Sequence, residues 1–224
     1  MKKNIYLTPG EQALFSALSS RQVIDTGSLQ EVFPEIPPVS LNKTVANLAK
    51  KGYLYRVKKG VFTVSGTPSE NPEIQDPLQI ALAVCPGYIG FSSALRVYDL
   101  IPYESFTVFV VTKNRSRETT VGEYTLRCVA MGKRCTGMTF HKGVYVSTLE
   151  KTFFDCFYKP QYAGGYAVIT QALSQSPSLD WQKFCDYFPA NHPHSARGPG
   201  ISWTCSIRGR GSSRKRYFSF SGSG

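Results

Sequence analysis

The sequence predicts an α+β protein with three parts: an N-terminal winged helix-turn-helix, a mixed α+β domain, and a largely irregular C-terminal tail. Residues 1–66 contain three amphipathic segments followed by two β-prone runs. Along residues 76–193, segments in which apolar residues recur about every 3.6 positions occur together with segments in which they recur every second position. Residues 194–224 hold few aliphatic residues and no acid. We therefore expect domains at 1–66 and 76–193, with a linker at 67–75.

The first two helices are predicted from their start signals. Thr8 stands three residues before Glu11, which is capping-box spacing, and apolar residues then recur on one face. Thr26 or Ser28 is expected to open a short second helix, which Pro34 ends because proline cannot continue a helix.

The third helix and the strands after it complete the predicted winged helix. Ser40 is expected to cap this helix and Gly52 to end it. The β-prone runs 53–57 and 61–64 are joined by Lys58-Lys59-Gly60, where glycine permits the positive φ of a tight hairpin. The apolar face of the helix comprises Leu41, Val45 and Leu48.

Positive charge is concentrated at the two ends of the chain. The net charge is +11, and residues 1–66 carry nine basic and four acidic residues. Residues 67–193 carry eleven of each, whereas residues 194–224 carry six basic residues and no acid. Clustered positive charge is typical of proteins that bind phosphate backbones, although a solvated basic face is the alternative.

Double-stranded DNA is the partner that this pattern predicts. A helix of about 10–12 Å diameter fits the roughly 12 Å major groove, and a hairpin beside it reaches phosphates. Use of the winged helix for protein contact alone is the other interpretation. The candidates for base edges are Asn42, Lys43 and Asn47, and those for the backbone are Lys50, Lys51, Arg56, Lys58 and Lys59, with Ser40 at the start of the helix.

The second domain is predicted as a small antiparallel or mixed sheet covered by helices. Asp76 is expected to cap its first helix, and Ser147 or Thr148 a later one. A basic loop, residues 113–117, separates the first two strands. The strands are expected at 106–112, 124–130 and 138–146, and further helices at 92–100, 163–174 and 180–188.

Catalytic chemistry is not indicated, and we expect no enzyme, cofactor or metal. Glu150 and Asp155 stand five apart on a helix, so we interpret them as a first-turn acid and an exposed or capping acid. His141 is expected to be structural. The six cysteines include no CxxC pair, so neither zinc nor a disulfide framework is expected. Apolar runs too short for a membrane span, and no apolar signal segment after Met1, favour a cytoplasmic location.

Several stretches in order resemble the AbiEi-type antitoxins of type IV, abortive-infection toxin-antitoxin systems, a prokaryotic phage-defence family. They are Leu48 to Phe62, Gly90-Phe91-Ser92-Ser93-Ala94-Leu95, Val108 to Thr112 with its basic loop, and Gly143 to Cys156. Together they cover roughly residues 8–188.

The resemblance implies a winged helix that represses its own operon by binding operator repeats, and a second domain that carries antitoxicity. It also implies a partner toxin, a nucleotidyltransferase-like AbiEii protein. On that basis Lys113, Arg115 and Arg117 are candidates for partner binding.

The tail departs from this family. Residues 195–207 can be encoded by codons that give a different peptide when the reading frame is shifted one base upstream. That peptide contains Arg-Ala-Gly-Tyr-Leu-Met-Asp-Leu, which resembles a helix near the C-terminus of proteins of this family. We therefore hypothesise a frameshift close to His194. The alternative is a disordered basic arm that strengthens non-specific DNA contact.

Two other functions stay open at this stage. One is a stand-alone winged-helix regulator that senses a small molecule through the second domain. The other is an enzyme that modifies a toxin or nucleic acid, for which the sequence offers no ligand cluster.

Overall fold

A computed structural model describes residues 6–65, 74–176 and 179–188, with the backbone of three strands beyond residue 193. The described chain is mixed α+β, as predicted. It divides into two compact units. The first comprises the residues up to Gly87 with Phe106–Val129, and the second comprises Tyr88–Ser105 with the residues from Ala130 onward. The linker expected at 67–75 lies mostly outside the described residues, so this boundary stays a prediction.

Helices and strands alternate along both units. The α-helices are α1 Pro9–Leu18, α2 Thr26–Val32, α3 Pro38–Lys51, α4 Pro77–Val84, α5 Phe91–Val97, α6 Leu149–Tyr158, α7 Tyr166–Gln175 and α8 Trp181–Asp186. The strands are β1 Val23–Asp25, β2 Leu54–Lys58, β3 Val61–Val64, β4 Tyr88–Ile89, β5 Thr107–Thr112, β6 Arg117–Val121, β7 Tyr124–Ala130, β8 Met138–His141, β9 Val144–Ser147, β10 His194–Gly198, β11 Ile201–Arg208 and β12 Lys215–Gly222.

The first unit begins with three helices and an antiparallel sheet of order β1-β3-β2. Strand β1, which the sequence did not predict, pairs with β3, and Ile24 lies opposite Phe62. Its three residues give too short a pattern to recognise before its partner is known. The apolar faces of these elements form one buried cluster: Leu14, Leu18, Ile24, Leu29, Leu41, Val45, Leu48, Leu54 and Phe62.

The helix ends of this part match the predictions in three places and differ in one. The capping box of Thr8 and Glu11 is confirmed, and so is Gly52 as the end of α3, with φ 85°. Helix α2 begins at Thr26, one of its two predicted starts, and Asp25 caps it. The prediction that Ser40 caps α3 is wrong, because the helix already begins at Pro38, a residue well suited to a first helical position.

The rest of the first unit comprises α4 and three strands in the order β6-β7-β5. Asp76 caps α4, as predicted, by accepting hydrogen bonds from the amides of Leu78 and Gln79. Strand β6 is new: it begins at Arg117, so the basic loop of the sequence analysis is shorter and extends from Lys113 to Ser116.

A disulfide joins Cys85, directly after α4, to Cys128 on β7. The expectation of no disulfide is therefore corrected. The two cysteines stand 43 residues apart in the sequence, and only the packing of α4 on the strands brings their Cα atoms to 5.9 Å.

The second unit packs helices on strands in the order β4-β9-β8. Residues 138–146, predicted as one strand, form the hairpin β8–β9, whose turn places Lys142 and Gly143 at positive φ. Thr148 caps α6, one of the two predicted alternatives. Residues 151–157 of α6 are all buried, which makes this helix the centre of the unit.

The tail contains three strands within the range expected to be irregular. They form an antiparallel sheet of order β10-β11-β12. Antiparallel pairing uses backbone groups that every residue but proline supplies, so it does not need the aliphatic residues that this segment lacks. The stretches between these strands lie outside the described residues, and the frameshift hypothesis stays a prediction.

Candidate nucleic-acid interface

Helix α3 turns a polar face to solvent. Lys43 and Lys50 are exposed and stand seven residues apart, so they lie about 10 Å apart along the same side of the helix. Asn42 and Ser40 are also exposed, and Asn47 is half-buried beside the two lysines. These five residues lie outside the buried stripe of α3, with Lys43, Asn47 and Lys50 grouped on one side, and we call the accessible surface that they form the α3 face: Ser40, Asn42, Lys43, Asn47 and Lys50.

One residue of this surface escaped the sequence analysis. Val39 is 81% exposed at the start of α3, four residues before Lys43 and therefore on the same side. An apolar side chain there could contact a thymine methyl group in the major groove. A valine beside predicted core positions carries no sequence signal for such a role.

Lys51 is held inside the protein. Its ammonium donates to the Glu11 carboxylate at 2.5 Å and to the backbone carbonyl of Tyr6 at 2.7 Å. Hydrogen bonds from Lys51 and from the backbone amide of Thr8 lower the pKa of Glu11. This ion pair ties the end of α3 to the start of α1, so Lys51 fixes the orientation of the α3 face and is not part of it.

The two adjacent lysines of the hairpin β2–β3, Lys58 and Lys59, have different surroundings. Lys58 donates to the carbonyls of Ala83 at 2.6 Å and Val84 at 3.2 Å, at the end of α4, where a helix has unpaired carbonyls that attract cations. Lys59 at the tip is exposed, and so is Arg56. Of the predicted backbone contacts on the hairpin, Lys59 and Arg56 are accessible and Lys58 is engaged.

The basic residues predicted for partner binding also differ in their contacts with the rest of the fold. Lys113, Arg115 and Arg117 are all exposed, but the guanidinium of Arg117 also donates to the carbonyl of Val84 and, at 3.3 Å, to the sulfur of Cys128. A cavity of about 630 Å³ opens beside Arg115 and Arg117. The three residues predicted for partner binding are therefore all accessible, and Arg117 in addition braces the end of α4.

The second unit contains a buried ion pair. Lys151 and Asp155 are both fully buried one turn apart on α6, and the ammonium donates to the carboxylate. The expectation that Asp155 is exposed or capping is wrong, because α6 is packed on all sides. Burial raises the pKa of Asp155 to about 6 and lowers that of Lys151. Removed from solvent, this pair lacks access for a substrate.

The remaining candidates are local. Glu150, in the first turn of α6 as predicted, accepts a hydrogen bond from the amide of Asp180 at 3.3 Å. His141 stacks on Tyr98 with ring centroids 5.2 Å apart, in keeping with a structural role. Among residues 6–65, 74–176 and 179–188, no three histidine, cysteine or acidic side chains gather in a way that could hold a metal ion.

A scan against models of known protein families finds no match, and a search of curated proteins finds none either. Within the part of the chain that the structure describes, every helix is too short or too polar to cross a membrane.

Proposed function

We propose that residues 8–65 are a winged helix that binds duplex DNA through the α3 face, and that the protein is a transcriptional autorepressor and antitoxin. The main support for the DNA-binding proposal is the α3 face. It presents three hydrogen-bonding side chains and two lysines that form no ion pair with any described residue, all on one helix. Side chains of this kind on a helix suit both phosphates and base edges.

The order of elements supports the proposal. Helix, strand, two helices and a two-stranded hairpin follow one another from α1 to β3, with β1 completing the sheet. In helix-turn-helix proteins the second helix of the motif enters the major groove, and here that helix is α3. The exposed Lys59 and Arg56 on the adjacent hairpin are available for phosphates on either side.

Lysines that are already bound within the fold are excluded from the interface. Lys51 and Lys58 each satisfy their ammonium on carboxylate or carbonyl groups of the protein. Moving either onto a phosphate would leave those groups without their partner, which offsets the gain. The proposed backbone contacts are therefore Lys50, Arg56 and Lys59, together with Lys43, which moves here from the base-edge candidates because its exposed ammonium can neutralise a phosphate. Asn42, Asn47, Ser40 and Val39 are proposed to lie near bases.

The test is DNA binding by the full chain with the double substitution Lys43→Ala/Lys50→Ala. A gel-shift titration against DNA upstream of its own gene should show about tenfold or greater loss of affinity. The slope of log affinity against log salt should fall by about two, because two phosphate contacts are removed.

The matched control is Lys133→Ala/Lys142→Ala, which removes the same charge from exposed positions of the second unit. Lys142 forms only an exposed ion pair with Asp99, so its loss should matter little. If the control and the α3 double variant weaken binding equally, the protein is attracted by net charge alone and the interface is wrongly assigned.

The antitoxin role rests on the resemblance to AbiEi-type proteins. It is tested by co-expression with a neighbouring nucleotidyltransferase-like toxin gene and a growth readout. The α3 double variant should lose repression of a reporter behind the upstream DNA but keep toxin neutralisation. Point variants suit this test better than deletion of the winged helix, residues 8–65, because α4 and β5–β7 belong to the same compact unit as those residues. Loss of both functions in a folded double variant would contradict separate roles.

A further inference from the structure

A cavity of about 630 Å³ lies in the first unit at the basic loop. This volume falls within the range of about 300–1,000 Å³ that is common for small-molecule sites. Its wall combines two guanidinium groups, an amide and two hydroxyl groups with apolar surface from a proline and a cysteine. The lining residues are Pro86, Thr112, Asn114, Arg115, Ser116, Arg117 and Cys128.

The wall is built on rigid elements. Thr112 is buried at the end of β5, and its hydroxyl accepts a hydrogen bond from the Asn114 amide at 3.3 Å. Cys128 is fixed by its disulfide to Cys85. Beside Pro86, a Cβ atom on Gly87 would lie 1.9 Å from the Val111 carbonyl oxygen, so only glycine permits this close approach. A frame of this kind can hold side chains in place before a ligand arrives.

The two arginines of the wall differ in the contacts that they make. Arg117 is braced by its hydrogen bonds to Val84 and Cys128, whereas Arg115 is exposed and makes no hydrogen bond or ion pair with any described residue. No acidic side chain lines the cavity. The nearest acid in the sequence, Glu118, is paired with Arg127 at 2.8 Å. The positive charge of the wall is therefore uncompensated.

We propose that this cavity binds a small phosphorylated ligand of mononucleotide size. The guanidinium of Arg115 can match phosphate oxygens with paired hydrogen bonds, the charge of the braced Arg117 adds to the attraction, and hydroxyl and amide groups supply the remaining donors. Pro86 and the Cys85–Cys128 disulfide offer apolar contact for the organic part. The inference goes beyond DNA binding and does not depend on it.

Lys113 distinguishes this ligand from a larger polyanion. It belongs to the same exposed loop and carries the same charge as Arg115, but it does not line the cavity. A nucleic acid or an acidic protein laid across the loop would contact both residues. A ligand inside the cavity uses Arg115 and leaves Lys113 in solvent.

The test is isothermal titration of the full-length protein, without DNA, with AMP, GMP, CMP, UMP, ribose 5-phosphate and inorganic phosphate. At least one organic phosphate should bind more tightly than inorganic phosphate. Arg115→Ala should weaken that binding by about tenfold or more, and Arg115→Lys by less, since the charge is kept but the paired hydrogen bonds are lost. Lys113→Ala should stay within about twofold of the wild type.

Two results would overturn the proposal. One is that no organic phosphate binds to the wild-type protein, although its cooperative thermal unfolding shows that it is folded. The other is an equal loss in the Lys113 and Arg115 variants, which would assign the loop to a broad polyanion surface. Arg117 is not used as the test variant, because its removal would also disturb α4. Since no DNA is present, either result leaves the proposed DNA contacts untouched.

Discussion

Helices α3 and α6 both carry lysines among apolar residues, yet they use them in opposite ways. On α3 the buried positions form one stripe, so Lys43 and Lys50 face solvent. On α6 every residue from 151 to 157 is buried, and Lys151 is paired with Asp155. The environment of the whole helix, and not the residue type, therefore decides whether a lysine faces solvent or holds the fold.

The electrostatic surroundings sharpen this contrast. The ammonium of Lys151 lies 5.2 Å from the ring centroid of Phe154 and 5.6 Å from that of Tyr187, with one carboxylate as its charged partner. A charge in such surroundings is stable only while it is paired. Lys43 and Lys50 on the α3 face are exposed to solvent, so they do not need a charged partner within the protein.

The largest expected effect is on α6. Lys151→Met should lower the free energy of unfolding by about 3–5 kcal/mol, because it leaves the Asp155 carboxylate buried without its partner. The pKa of Asp155 should also rise above its value of about 6, since Lys151 is the strongest influence that lowers it. Chemical denaturation and a carbon-detected NMR titration measure the two quantities.

The matched variant for this prediction is Lys151→Met/Asp155→Leu, which replaces both charges with apolar side chains. It should recover much of the lost stability, as paired removal leaves no isolated buried charge. A double variant as unstable as the single one would mean that packing, and not the ion pair, dominates at these positions.

A smaller effect is expected at Lys51, which belongs to α3 but behaves like a structural lysine. Lys51→Met should destabilise the first unit by about 2 kcal/mol, the usual size for a hydrogen bond to a charged group. DNA affinity measured well below the unfolding midpoint should stay within about threefold of the wild type. A loss as large as that of Lys43→Ala/Lys50→Ala would place Lys51 in the interface after all.

The smallest effects separate the two neighbouring lysines of the hairpin. Lys59→Ala should reduce the salt slope of DNA binding by about one, as expected for one phosphate contact. Lys58→Ala should leave the slope unchanged and lower stability by about 1 kcal/mol, because its partners are the carbonyls of α4. The reverse pattern would show that Lys58 leaves α4 to reach DNA.

Local features of the site were predictable. The capping box at Thr8, the cap at Asp76 and the end of α3 at Gly52 involve residues two to four positions apart, so their hydrogen bonds can be anticipated from spacing. The apolar stripe of α3 likewise defines its opposite face. Helix α3 begins two residues before the predicted cap Ser40, at Pro38, because proline suits the first helical turn.

Features that depend on distant partners were not predictable. Lys58 contacts carbonyls 25 and 26 residues away, and Arg117 a carbonyl 33 residues away. The burial of Asp155 follows from packing on every side of α6, which its own period does not reveal. The Cys85–Cys128 disulfide and the cavity beside it arise in the same way.

The amino-acid sequence by itself determined where most helices begin and end and which face of α3 is polar, since these depend on backbone and side-chain interactions within a few residues. The tertiary structure was needed to show which lysine and arginine side chains remain exposed to solvent. Whether an ammonium or guanidinium group meets solvent or a carbonyl depends on segments brought together by the fold, and their burial sets the free energy of each charge.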